Sequence, residues 1–387
     1  MIESKKKIYL DYAAATPVRP EVLAVMHPFF SQEYANPSSQ HAAGINAQKS
    51  LQQAREKIKN ALNAEYPEEI IFTSSGTESI NLAIAGIARA NKNKGKHIIT
   101  TKIEHKAVLE TCQYLSKNEN FNITYLNVNK EGIISLEELQ QAIRSDTILV
   151  SVMYVNNELG SIQPIEEIAQ IAKKHHILFY ADACQASYLN LNVHHLGIDA
   201  LTLNSSKIFG PKGSAILYLK KGTLLHPIIH GGGQEFTFRS GTENLPAIIG
   251  FAKALELISQ EKEQEILRQI NLQNKLLQEL KTKIPEIIIN GPQYQKIPNI
   301  INISFPHLEG EQIMRYLNQH NIYISSGSAC TSKEITTSHV LQAIGLPENI
   351  AKGTIRISFG KYTLEEEINK LIEILPNIIK TLTKISG

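Results

Sequence analysis

Short apolar runs alternate with helix-period segments through the middle of the chain. Ile70 to Thr73 is one such run, and the segment from Ser79 to Ala90 after it repeats its apolar positions at helical spacing. The pair recurs: His97 to Thr101 precedes Lys106 to Leu115, and Thr147 to Met153 precedes Ile165 to Lys174. Further strands are predicted over Ile177 to Ala181, Ala200 to Leu203 and Ala215 to Leu219. Repeated strand–helix units predict an α/β fold, a mostly parallel sheet with helices on both faces. From Pro246 a single helical pattern runs to about Lys281, with charged residues opposite Ile, Leu and Ala. Beyond it the rhythm changes. Ile287 to Ile289, Ile300 to Ser304, Tyr323 to Ser325 and Thr354 to Ser358 read as strands. Glu311 to Asn318, Ser338 to Ala343 and Leu364 to Leu375 read as helices, the last stopping before Pro376. These predict a second, smaller α+β unit.

Composition narrows the class. The 387 residues suffice for a large core, and Lys+Arg 39 against Asp+Glu 37 is close to balance. No basic stripe argues for nucleic acid, and the short Lys5-Lys6-Lys7 cluster reads as a solvated start. Three cysteines make no disulfide framework, and their spacing fits no zinc site. The N-terminus shows no signal-peptide pattern, and no apolar stretch is long enough to span a bilayer. The expectation is a cytoplasmic protein with free thiols, no membrane contact and no metal.

Chemistry gathers where predicted strands end. Asp182 opens "DACQ" and Lys207 sits in "NSSKIFGPKG", each just past a short buried run. Strand ends line the ligand crevice of an open α/β sheet. A lysine and a carboxylate delivered there suit pyridoxal phosphate, the amine holding the aldehyde and the acid pairing with the pyridinium nitrogen. A surface lysine and a strand-end aspartate account for the spacing equally simply. "SSGTES" at Ser74 to Ser79 has a glycine, Gly76, for close backbone approach and Thr77 at a helix start. That turn suits a phosphate, or is an ordinary N-cap. His105 in "EHKAV" can stack on a flat ring and shuttle a proton, or serve structure alone. "NNELG" at Asn156 to Gly160 can orient a ligand or form an Asx turn. "HGGGQEFTFRSGTEN" offers Arg239, Ser240 and Thr242 as anion-binding groups on a glycine-rich loop. Arg356 on a short alternating strand either clamps a carboxylate or faces outward. Cys330 in "SSGSACTSKE" reads as a loop-tip thiol, whereas Cys112 and Cys184 read as small buried hydrophobes.

The order of these motifs is more specific than any one of them. From "IYLDYAAATPV" through "NPSSQHAAG", "FTSSGTESINLAI", "EHKAV", "NNELG", "DACQ", "SSKIFGPKG", "GGGQE", "RSGTEN" and "SSGSACTS" to "IRISFG", the chain resembles the cysteine desulfurases of the NifS/IscS type. These belong to the class V aminotransferase group of fold-type I pyridoxal-phosphate enzymes, and the resemblance covers nearly the whole chain. It implies a large cofactor-binding domain over 16–258 built on a seven-stranded sheet. The smaller domain would comprise 1–15 and 259–387 and carry the catalytic cysteine. By resemblance, Lys207 holds pyridoxal 5'-phosphate as a Schiff base and moves the substrate's α-proton. Asp182 keeps the ring nitrogen protonated, Gln185 faces the phenolic oxygen, and His105 stacks on the ring. Gly76, Thr77 and nearby amides bind phosphate, and Thr242 reaches the phosphate of the partner subunit in a homodimer. Asn157 and Arg356 hold the carboxylate of L-cysteine, and Cys330 attacks its sulfur. The persulfide then passes to a sulfur acceptor or iron–sulfur scaffold protein.

Three features depart from the family pattern. Asn204 and Ser206 stand where it has serine and histidine, both still able to donate to phosphate. "FTF" at Phe236 to Phe238 replaces a usually small or basic stretch, and with Gly387 soon after the last helix the expectation is that the C-terminal extension by which IscS-type members dock a scaffold protein is lacking. The expectation is a desulfurase nearer the NifS side. A selenocysteine lyase, an aminotransferase of the same fold and a catalytically silent interaction protein share much of the pattern. Relative turnover of cysteine and selenocysteine, dependence on Cys330, and cofactor colour separate them.

Overall fold

The computed structural model describes residues 7–326, 328–331 and 334–386, with side chains at 328–331, 334–336 and 385–386 outside the description. After β1 (Ile8–Tyr9) come the strands of the central sheet: β2 (Ile70–Thr73), β3 (His97–Thr101), β4 (Asn122–Leu126), β5 (Thr147–Ser151), β6 (Leu178–Asp182), β7 (Ala200–Asn204) and β8 (Ala215–Leu219). They lie in the order β2-β8-β7-β6-β5-β3-β4. Only β8 is antiparallel to its neighbours; the β7–β6, β6–β5, β5–β3 and β3–β4 pairs are parallel.

Alternation along each strand supplies two cores. Ile71, Leu149, Tyr180 and Leu217 pack on one face, with Ile80 and Ile84 of the helix Gly76–Asn91 and Val108 of the helix Lys106–Glu119. Ile70, Val150, Phe179 and Leu201 pack on the other, against Leu51 and Ile58 of the helix Ala42–Leu62 and Phe251 of the helix Leu245–Lys283. A period of two that is apolar at both phases is what a sheet covered on both faces requires. The parallel strands therefore open their C-terminal ends along one edge. That edge receives Ser74–Thr77 after β2, His105 after β3, Met153–Asn157 after β5, Asp182 at the end of β6 and Asn204–Lys207 at the end of β7.

The second unit is built on an antiparallel sheet. It contains β9 (Ile288–Asn290), β10 (Ile300–Ser304), β12 (Ser325–Ser326) and β15 (Thr354–Ser358), in the order β12-β15-β10-β9. Its core joins Ile301, Ile303, Ile355 and Ile357 to Leu371 and Leu375 of the helix Glu365–Ser386. The helix Leu245–Lys283 passes from one core to the other: Phe251 and Ile258 belong to the first, Leu272, Leu276 and Leu280 to the second. The stretch read as one strand, Tyr323 to Ser325, divides in two. β11 (Ile322–Tyr323) pairs with β1, whereas Ser325–Ser326 pairs with β15. β13 (Ser328–Thr331) and β14 (Glu334–Thr337) form a hairpin that sets Cys330 opposite Ile335. The backbone of Cys330 is thus extended rather than at a loop tip. Thr331, Ile335, Thr336 and Thr337 are β-branched and suit that conformation.

The last helix corrects a second expectation. It continues through Pro376 to Ser386. A helix-interior proline costs about 3 kcal/mol by losing a hydrogen bond and crowding the preceding turn. Beyond it, however, Ile378, Ile379 and Leu382 are all buried in the second core. At about 1.5–3 kcal/mol for each buried side chain, packing exceeds the penalty. Pro376→Ala is therefore expected to raise stability by about 1–3 kcal/mol, read as a higher denaturation midpoint. An unchanged or lower midpoint would mean that the packing depends on the proline ring.

Candidate active site

A cavity of about 340 Å³ opens at the C-terminal edge of the central sheet. Ser75, Gly76, Thr77, His105, Asn157, Asp182, Gln185, Asn204 and Lys207 reach it from the large sheet, Ala13 and Ala14 from the N-terminal stretch, and Arg356 from β15. A wider groove between the Gly76 and His105 helices shares Thr77 and His105 with it. The sites predicted at separate strand ends thus converge on one space.

Lys207 follows β7 by one tight turn, and its Nζ donates to Ala13 O at 2.8 Å and Ala14 O at 2.6 Å. Burial lowers its pKa from the usual lysine value, which raises the share of neutral amine. Asp182 is buried, and its Oδ1 accepts from the Cys184 amide at 3.0 Å. His105 caps its helix: Nδ1 accepts from the Ala107 amide at 3.1 Å, which leaves the proton of the neutral ring on Nε2. The ring is exposed to the open cavity, although protein surrounds that cavity. Burial lowers its pKa; Asp182 pulls the other way, and Lys207 adds to the lowering. Gln185 Nε2 donates to Ala13 O at 2.9 Å.

The Gly76 helix starts against the cavity. Ser75 is its N-cap, the hydroxyl accepting from the Glu78 amide, and among the described residues the amides of Gly76 and Thr77 have no acceptor. Such amides, with the helix dipole behind them, suit an anion. Gly76 permits the close approach: a Cβ there would lie 3.1 Å from Cys184 Sγ and 3.4 Å from Asn204 Nδ2. Asn204 lines the cavity, whereas Ser206 lies outside its lining and bonds Asn204 Oδ1 through both its amide and its hydroxyl. The "NNELG" stretch forms the Asx turn and also reaches the cavity. Asn156 forms an Asx turn with the Glu158 and Leu159 amides, and Asn157 lines the cavity. Thr242 is exposed and outside this cavity. Arg239, read as an anion-binding group, instead pairs with Glu78 at 2.8 Å.

Arg356 is gripped on several sides. Nη1 donates to Asn157 O at 2.9 Å, and Nη2 donates to Asp11 Oδ1 at 2.8 Å and Ser325 Oγ at 3.1 Å. Both bidentate edges of a guanidinium include Nη2. Both protons of Nη2 are taken, so a bidentate grip on a carboxylate displaces one partner. Neutral Ser325, at the longer distance, yields more readily than Asp11.

Asp11 and Glu104 are site-forming residues that sequence reasoning missed. Asp11 lies in the quoted "IYLDYAAATPV", but nothing local connects it to Arg356, 345 positions away. Glu104 Oε1 accepts from Thr101 Oγ1 at 2.9 Å and the Met153 amide at 2.8 Å, tying the His105 turn to the end of β5. Burial pushes its pKa up to about 8. Its carbonyl takes His339 Nε2 at 2.9 Å, and Ser338 Oγ bonds Glu158 Oε2 at 2.6 Å. Ser325 on one side of the Cys330 hairpin, with Ser338 and His339 on the other, is therefore anchored around the cavity.

The side chain of Cys330 lies outside the described residues. The other two thiols are poor nucleophiles. Burial pushes Cys112 up to about 12, with Glu104 adding to it. Cys184 is held well above its ordinary value, by burial first and then by Asp182.

A class-V aminotransferase family model matches residues 8–371. The cysteine desulfurase IscS of Dictyoglomus turgidum is 47% identical over 383 residues, which covers 99% of this chain and 97% of that one. The chain belongs to the class-V aminotransferases, and within them to the cysteine desulfurases. Among solved structures, a NifS-like protein superposes with a TM-score of 0.92 at 38% identity, over 97% of this chain and 100% of that one. A structure described as SspA in complex with cysteine superposes with a TM-score of 0.79 at 38% identity, over 93% of this chain and 100% of that one. The mostly parallel seven-stranded sheet is the one expected of the fold-type I family. Within this desulfurase the residues present fit a planar phosphorylated aldehyde. An amine and a buried carboxylate face one cavity, and acceptor-free helix amides lie at its side. Among the described residues, no helix is long and apolar enough to cross a membrane.

Proposed function

We propose that this chain is a pyridoxal-phosphate-dependent cysteine desulfurase that converts L-cysteine to L-alanine and takes the sulfur as a persulfide on Cys330. The observation carrying this reading is that Lys207, Asp182, His105 and Arg356 share one cavity. When bound there, pyridoxal phosphate supplies an electron sink that makes the substrate's Cα–H acidic.

The remaining work falls to side chains. Lys207 would hold the aldehyde and, as a free amine, would take the substrate's α-proton; the pKa lowered by burial favours both tasks. Asp182 would keep a proton on the ring nitrogen, and Gln185 would serve the phenolic oxygen. His105 would stack on the ring and hold a proton at Nε2. Gly76, Thr77 and Asn204 would hold the phosphate, with Ser206 bonded to Asn204 Oδ1. Arg356 and Asn157 orient the substrate carboxylate, Ser325 giving way on Nη2. The Cys330 thiolate attacks the substrate sulfur: the Cβ–S bond breaks, an S–S bond forms, and the substrate carbon takes up a proton to leave as L-alanine. Cysteine plus enzyme thiol thus balances alanine plus enzyme persulfide.

The working form is a homodimer, a reading supported by the exposure of Thr242 on the glycine-rich loop, outside its own subunit's cavity. The division into 16–258 and 1–15 with 259–387 is supported by the two separate cores. Sulfur leaves to an acceptor or iron–sulfur scaffold protein.

Cofactor-loaded protein given L-cysteine and excess thiol should release L-alanine and sulfide in equal amounts; pyruvate in place of alanine would contradict the assignment. Asp182→Asn should lower turnover by roughly 10²-fold or more while the fold is retained, because a neutral amide does not keep the ring nitrogen protonated. A variant within about twofold of wild type would remove Asp182 from this role.

A further inference from the structure

Glu78 poses a problem that the active-site residues alone do not resolve. It lies in the first turn of the Gly76 helix, beside the amides assigned to phosphate. A carboxylate there opposes a second anion. It is drawn aside on two sides. Arg239 Nε donates to Oε1 at 2.8 Å and Nη2 to Oε2 at 3.4 Å, while the Ser74 amide donates to Oε2 at 2.9 Å and the Ser74 hydroxyl bonds the same oxygen. The ion pair is largely withdrawn from solvent, with side chains 20% and 11% exposed.

The loop that carries Arg239 is itself anchored. Arg55 grips Glu235 through two nitrogens at 2.8 Å each, and the Phe72 amide donates to Glu235 at 2.7 Å. Both side chains of this pair are almost fully buried. Glu235, Phe236 and Thr237 hold successive left-handed φ values of 47°, 57° and 73°, which L-residues avoid. Surrounding contacts therefore impose the loop's shape, and with it the reach of Arg239.

We propose that Arg239 is a positioning residue for the cofactor phosphate: it cancels the charge of Glu78 and holds that carboxylate aside, so that the helix N-terminus accepts an anion. This rests on the phosphate placement in the proposed function. It makes Arg239 a partner of the protein's own acid rather than of the phosphate.

The test is a double-mutant cycle read as binding, not turnover. Apo protein is titrated with pyridoxal phosphate and, in parallel, with pyridoxal, which lacks the phosphate. Arg239→Gln should weaken pyridoxal phosphate by about tenfold or more and leave pyridoxal unchanged. Glu78→Gln should bind no more weakly than wild type. The double variant should return to within about threefold of wild type, since the repelling charge is gone. A purely structural clamp behaves differently: either single variant weakens binding, and the double variant is no better. That pattern, or Arg239→Gln binding as tightly as wild type, overturns the inference. Wild-type protein that forms no borohydride-reducible adduct on Lys207 overturns the site assignment, and this inference with it.

Discussion

Lys207→Ala is expected to abolish desulfuration, lowering turnover by roughly 10³-fold or more, while the protein still binds pyridoxal phosphate without a covalent link. Two proposed roles end together, because the same amine is assigned both to hold the aldehyde and to remove the α-proton. Ala13 and Ala14 carbonyls, which hold Nζ in place, lose their partner but belong to a backbone also tied by Thr16 to Ser206 and Phe209. The fold should therefore persist. The Gly76 and Thr77 amides and Asp182 remain to hold phosphate and ring. Borohydride treatment of wild type followed by peptide mapping checks the assignment. The label belongs on Lys207, and a label on Lys212 or a fully active Lys207→Ala protein contradicts it.

Cys330→Ser has the second large effect. Substrate still enters, because Lys207, Asn157 and Arg356 are intact, so the spectral change on adding L-cysteine persists. Alanine release should fall by roughly 10³-fold or more, since a hydroxyl at neutral pH is no substitute for a soft thiolate. Cys112→Ser should be active, for that thiol is buried in the helix Lys106–Glu119. Cys184→Ser should also turn over, with a modest loss because Cys184 lines the cavity beside Asp182. Steady-state alanine production by the three variants separates these outcomes.

Much of this architecture is legible in the chain because strands covered on both faces read as near-continuous apolar runs. β2, β3, β8, β10 and β15 fall where the runs lie. β4 does not show in that way: it is the edge strand next to β3, and Asn122 to Tyr125 are half-buried or exposed. The helix Ala42–Leu62 is hidden similarly, with Ala47, Leu51, Ala54, Ile58 and Leu62 buried on one face among Gln, Lys and Asn. Local rules also misread Pro376, because the burial that outweighs the proline comes from another part of the chain.

The site divides along the same line. Lys207, Asp182, His105 and Gly76 are legible because strand ends place them and their motifs are contiguous. Asp11 and Glu104 are not, since their importance lies in partners: Asp11 in Arg356 and Ser325, Glu104 in Met153 and Thr101. Arg239 shows the converse. Its charge invites a reading as an anion site, but only the fold reveals that Glu78 already occupies it. Sequence names charges readily; it does not say which charge is left for the ligand.

The most direct test of the account is to find where sulfur resides after one turnover. Cofactor-loaded protein is given one equivalent of L-cysteine without reductant, alkylated, digested and analysed by mass spectrometry. The account predicts one extra sulfur on the peptide containing Cys330, with L-alanine formed in equal amount and no extra sulfur on the Cys112 or Cys184 peptides. Extra sulfur on Cys112 or Cys184, with a fully active Cys330→Ser protein, would contradict it.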